Sequence, residues 1–311
     1  MTIVRALILV LAAAIAAPAP SARSAEPIVG TTTPAADGAS LFVGKEEGFY
    51  AKHGLDVTIQ IAALMPNTPP MLASGSARFG LLTPATVIQA VDGGLDLVAI
   101  SGASVLTHDL SSQIIVAREG SGIKTAADLA GKRFGVPGFG ASLHVVTLYW
   151  LEKNGVDAKT VKFVEVPFPA MRDLLASGQV DAVVAIDPIL SQILSSKAGY
   201  VVADLVPDQP DHSPALIVAA MRDWVTAHGA ETKALQAALA ESEEFVNANP
   251  DKARADVAVY IKMPPELLKL AKISKQDPVL TPQQLEWWID VMKRNKMLTG
   301  SVDAAKMIVA R

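Results

Sequence analysis

Along residues 27–220, short apolar runs alternate with stretches whose apolar positions fall three and four apart. The first pattern predicts buried strands and the second predicts helices with one apolar face. Arg133 to Val136 reads as a short buried strand, which Pro137, Gly138 and Gly140 break into a tight loop. From Ala141 the chain carries Leu143, Val146, Trp150 and Leu151 at helical spacing and stops at Asn154-Gly155. The same logic predicts a strand opening at Pro27 to Thr31, a helix from Gly38 to His53 capped by Asp37, and a strand over Leu55 to Ala62. It continues with a short helix ending at Ser74-Gly75, a strand over Arg78 to Leu82, a helix opened by Thr83-Pro84, and a strand over Leu95 to Ile100. Strands alternating with helices predict the α/β class. The tail reads as helical: Glu231 to Asn249 closed by Pro250, a helix from Pro264-Pro265, and one from Thr281-Pro282 carrying Trp287 and Trp288. Neighbouring tryptophans do not share one helix face, so at least one is expected in the core.

An internal echo sharpens this picture. Leu72-Ala73-Ser74-Gly75 recurs as Leu175-Ala176-Ser177-Gly178. Each copy precedes a short strand, then a proline turn and a helix: Thr83-Pro84 in one case, Asp187-Pro188 in the other. Ser112 to Ala117 and Ser213 to Ala219 form a second similar pair. Two similar α/β lobes explain both echoes. The second pair brackets the inserted lobe, so the chain is expected to cross between lobes twice, through a hinge. The boundaries read as 26–111 with 214–311 for lobe 1 and 112–213 for lobe 2.

The first 25 residues stand apart. Arg5 precedes the apolar run Ala6 to Ala17, and a small, proline-rich stretch follows to Ala25, which reads as a secretory signal peptide. Cysteine is absent, which removes disulfides, thiolate catalysis and a lipid-attachment cysteine. An exported chain without an anchor is expected in the periplasm. The whole chain carries 27 basic and 31 acidic residues; without Arg5 and Arg23 the balance is 25 against 31, or −6. No basic patch stands out, so nucleic acid is not an expected partner.

Catalytic patterns fail one by one. Gly140-Ala141-Ser142-Leu143-His144 starts like a nucleophile elbow but has His144 where the last glycine belongs. Gly138-Phe139-Gly140 begins a dinucleotide fingerprint, but Leu143 takes the third glycine position. His108-Asp109 and Asp211-His212 lack metal-ligand spacing. No enzyme, metal or cofactor is expected. What remains is the glycine loop running into a helix start at Ser142, where unpaired N–H groups and a hydroxyl suit an anionic group. The competing reading is that Ser142 caps its helix.

The order of motifs then resembles a family. It runs from Gly48-Phe49-Tyr50 with Gly54, Leu55 and Val57, through Asp128-Leu129 and Gly131-Lys132-Arg133, to the loop with Ser142 and His144. It ends with Leu175, Gly178, Val180-Asp181-Ala182 and Asp187-Pro188. This resembles the solute-binding proteins of ABC importers, in the SsuA/THI5-like (NMT1-like) branch for sulfonates, taurine, nitrate and thiamine-pyrimidine precursors. The resemblance implies a two-lobed periplasmic-binding-protein fold (type II) with two hinge crossings and a helical C-terminal tail. It implies a small-molecule ligand closed between the lobes, an inner-membrane ABC permease as partner, and a monomer. Sulfonate binders of this branch carry Gly-Ser-x-x-His at the second-lobe helix start and Trp before the acidic Pro turn. Here Ala141 and Ile186 stand at two of those positions, so a small organic anion, sulfonate or carboxylate-like, is the expected ligand. Expected contacts are Thr32, Thr33, Asn67, Thr83 and Thr86 from lobe 1, and Ser142, His144 and Asp187 from lobe 2. Capping competes with ligand contact at each threonine, and Asp187 reads equally as a cap or as a partner for a ligand amine. Two other functions share this fold: a thiamine-pyrimidine type binding protein or enzyme, and a ligand sensor for a membrane receptor.

Overall fold

Twelve short strands define two sheets and one small ribbon in the computed structural model, which describes residues 27–261, 269 and 272–309. The signal segment and the helix expected at Pro264-Pro265 lie outside the described residues. The first sheet runs β2 (Val57–Ile61), β1 (Ile28–Thr32), β3 (Phe79–Leu82), β12 (Ile217–Met221), β4 (Leu97–Gly102). The second runs β10 (Gly199–Asp204), β6 (Ile114–Arg118), β9 (Ala182–Ala185), β7 (Arg133–Val136), β8 (Lys162–Glu165).

Reversing the second order superimposes it on the first. β7, β8 and β9 then correspond to β1, β2 and β3, all parallel. β6 corresponds to β12, the one strand antiparallel to both of its neighbours. The sequence echo is therefore a structural repeat. Its two Leu-Ala-Ser-Gly copies end equivalent helices, Thr68–Ala73 and Met171–Ala176. Gly75 and Gly178 both adopt left-handed backbone, φ +74° and +72°, which a side chain would resist.

Both central strands, β3 and β9, are fully buried, as expected for parallel strands covered on both faces. Between the lobes the chain passes through β5 (Val105–Leu106) and β11 (Ser213–Pro214), which pair antiparallel and make the hinge ribbon. Asp211 accepts the His108 N–H at 3.0 Å across these crossings. A third segment reinforces them: Gly102 N–H donates to Pro278 O, and Val105 N–H to Lys275 O.

Two helices differ from expectation. The stretch Gly38 to His53 is split into Ala39–Glu46 and Phe49–Lys52, because Gly48 turns into left-handed backbone between them. Pro250 closes Gly229–Ala248 but also opens a further helix, Pro250–Tyr260, in which its missing N–H costs nothing at the first position. The helix Pro282–Arg294 starts with a Thr281/Gln284 capping box and packs on helices of both lobes, Pro84–Asp92 and Ser142–Lys153. Trp288 is fully buried there, while half-buried Trp287 sits edge-on to Tyr149 at 5.4 Å.

Candidate ligand-binding site

The parallel strands of both sheets end on the same gap. The loops leaving β1, β3, β7 and β9 face each other there, at the carboxyl ends where α/β folds place ligands. They line a cavity of about 50 Å³. A few waters fit in such a space, while ordinary small-molecule pockets exceed roughly 300 Å³. The lobes are thus shut on each other. Ser142 N–H reaches Thr83 Oγ1 at 3.3 Å, and Ala36 N–H reaches Asp187 O at 3.4 Å, both from lobe to lobe.

The polar lining is Thr33, Asp37 and Thr83 from the first lobe, Ser142 from the second, and Gln113 from a crossing. Met65, Leu143, Phe168, Ile186 and Leu216 provide apolar walls. Thr83 has several partners. It caps the helix Pro84–Asp92 by accepting Thr86 N–H, shares a 2.9 Å contact with the Thr86 hydroxyl, and accepts Ser142 N–H. Ser142 is different. Ala141 occupies the N-cap position of the 12-residue helix Ser142–Lys153, so Ser142 does not cap it. Its Oγ is buried and has no partner among the described residues.

The other expected contacts lie elsewhere. Thr32 and Thr86 are buried beside the cavity and do not line it. Asn67 is exposed at the start of its helix. Asp187 is saturated: one oxygen accepts Ser191 N–H at 3.1 Å and the Ser191 hydroxyl at 2.6 Å, and the other accepts Lys272 N–H at 3.0 Å. Asp37, read from the sequence as a helix cap, caps nothing and faces the cavity instead. Its signal was positional: it follows Thr33 in the loop leaving β1. Phe168 and Gln113 carried no such signal, because a strand-end phenylalanine and a crossing glutamine look like core and linker.

His144 turns away from the cavity. Its Nδ1 accepts Gly140 N–H at 3.1 Å, and its ring packs against Phe163 and Phe139 at 4.9 and 5.5 Å. An accepting Nδ1 requires the neutral ring with the proton on Nε2. Burial pushes the imidazole down from 6.5 to about 4. For a base held below its unfolded value, the stabilisation is complete above pH 6.5 and is lost as pH falls toward 4, in total roughly 3 kcal/mol. Melting curves of wild type and His144→Gln should therefore diverge across that window, the wild type losing stability as acid is added. A constant offset between the two curves would place the charged ring in the fold.

With this geometry in place, known proteins can be set beside it. The profile of the NMT1/THI5-like family matches residues 35–253. The chain belongs to this family. A Brucella abortus relative, named only as a binding protein, is 28% identical over 266 residues, 84% of this chain and 79% of its own. The alkanesulfonate-binding protein SsuA of Xanthomonas axonopodis pv. citri, solved with MOPS bound, superimposes with a TM-score of 0.79 at 19% identity, over 93% of this chain and 99% of that one. The periplasmic nitrate-binding protein NrtA of Synechocystis gives 0.76 at 18%, over 91% and 85%. The NMT1/THI5-like chain thus has the two-lobed fold of these periplasmic binding proteins, and these three relatives carry the names of binding proteins. Among its described residues, no helix is long and apolar enough to cross a membrane.

Proposed function

We propose that this protein is the substrate-binding component of an ABC importer. It captures a small organic solute between lobe 1 (26–111 and 214–311) and lobe 2 (112–213) and hands it to an inner-membrane permease. It is exported through residues 1–25 and acts in the periplasm as a monomer, without transforming its ligand. One observation carries this reading: a cavity at the facing strand ends of a duplicated α/β unit, joined by a two-stranded hinge ribbon. An acidic group of the ligand, sulfonate or carboxylate, belongs at the Ser142 helix start, where the free hydroxyl and the helix N-terminus meet it.

The test uses purified mature protein with methanesulfonate, nitrate, bicarbonate, propionate and benzoate. At least one should raise the melting temperature, and small-angle scattering should then show a smaller radius of gyration through rigid-body closure. No stabilisation by any of them, together with unchanged scattering, would count against the reading.

A further inference from the structure

The cavity has two chemically different poles, a buried hydroxyl without a partner and a buried carboxylate with few donors. On the second-lobe side is the Ser142 hydroxyl, buried and without a partner among the described residues. On the first-lobe side is Asp37, only 8% exposed, whose Oδ1 accepts the Ser274 N–H at 3.3 Å. Among the described residues no lysine or arginine lines this cavity. The ammonium of nearby Lys272 is taken up by Ser111 O at 3.2 Å. The neighbouring carboxylate Asp187, by contrast, has hydrogen bonds on both oxygens. A carboxylate buried without a cation or a full set of donors is costly, and a second carboxylate nearby makes it more so. Burial, and then the charge of Asp187, hold the Asp37 carboxyl above its usual range against the opposing Ser274 hydrogen bonds.

We propose that the ligand carries a protonated nitrogen as well as an acceptor group, and that Asp37 receives that nitrogen. The proposal rests on the solute-binding reading and specifies its ligand. Asp187, the acid that the sequence suggested for a ligand amine, is spent on the N–H and hydroxyl of Ser191 and on the backbone N–H of Lys272. Asp37 is the acid left with capacity, and it lines the cavity. Met65, Leu143 and Phe168 would then hold an apolar body between the two poles.

Matched probes isolate the nitrogen. Calorimetric titration compares propionate with 3-aminopropionate, and benzoate with 4-(aminomethyl)benzoate, on wild type and on Asp37→Asn. In at least one pair the amino group should tighten binding to the wild type by about tenfold or more, the usual gain from a charge-assisted hydrogen bond. That gain should fall below about twofold in Asp37→Asn. The ratio within a pair is the readout, so a general loss of affinity in the variant does not mimic the effect, and a melting curve confirms that the variant folds. Plain acids that bind as well as their amino partners overturn the inference and leave the solute-binding reading standing, as does a gain that survives in Asp37→Asn. If neither member of either pair binds, and the sulfonate, nitrate and bicarbonate panel is also silent, the solute-binding reading falls and takes the inference with it.

Discussion

Gly138→Ala is expected to weaken ligand binding between about five- and a hundredfold while the ligand-free protein melts as before. The reason is a contact made only when the lobes close. A Cβ at Gly138, in the loop after β7, would lie 2.6 Å from Cδ and 3.0 Å from Cγ of Pro66. Pro66 belongs to the short turn Met65–Asn67 of the opposite lobe, and its ring has no rotamer into which it can retreat. Overpacking of this kind costs roughly 1–3 kcal/mol, which the closed state alone bears. Gly138 is outside the left-handed region, so alanine brings no backbone strain of its own. Pro66→Ala removes the colliding ring atoms, so the double variant should bind within a few-fold of Pro66→Ala alone. Calorimetry with a confirmed ligand, paired with small-angle scattering, measures both halves. Full affinity and full compaction in Gly138→Ala would show that these lobes do not meet at this point when they shut.

Much of this architecture was legible in the order of small local signals. The repeated Leu-Ala-Ser-Gly marked equivalent helix ends because only glycine adopts their left-handed backbone cheaply, and the strand that follows each copy is the centre of its sheet. Thr83, Thr33 and Ser142 line the cavity because loops leaving parallel strands share one end of the fold. What was hidden depends on how the two lobes meet. Nothing local separates Asp37, open to the cavity, from Asp187, saturated by Ser191 and by the backbone of Lys272, which lies 85 positions away. His144 was expected as a ligand contact because the resemblance implies a histidine at this point, two residues after Ser142. On a helix that spacing turns it to another face, where aromatic rings and the Gly140 N–H hold it. Gly48 splits a run that reads as one helix, since the apolar pattern reports the buried face and not the bend in the axis.

Ser142→Ala should weaken binding at no cost in stability. In the closed structure its hydroxyl is buried without a partner, so that state, when no ligand fills it, bears the desolvation cost and receives no hydrogen bond in return. Removing it should leave the melting temperature unchanged or raise it, by up to about 1 kcal/mol of stability. A serine that capped the helix would behave otherwise: its loss typically costs about 1 kcal/mol. Here Ala141 occupies the cap position and no cap is lost. Binding should fall by roughly ten- to a hundredfold, because a hydrogen bond to a charged ligand group contributes about 1.5–3 kcal/mol. Ser142→Asp separates the two roles further. An acid in the first helical turn suits the helix dipole by some tenths of a kcal/mol or more, so the open form should tolerate it. In the closed form it would put a second carboxylate into a cavity that already holds Asp37, against the acidic pole of the ligand. Titration should then detect no binding, in a protein whose melting curve is close to normal. Wild-type affinity in both variants would move the acidic pole away from this helix start and leave the buried hydroxyl as a packing feature alone.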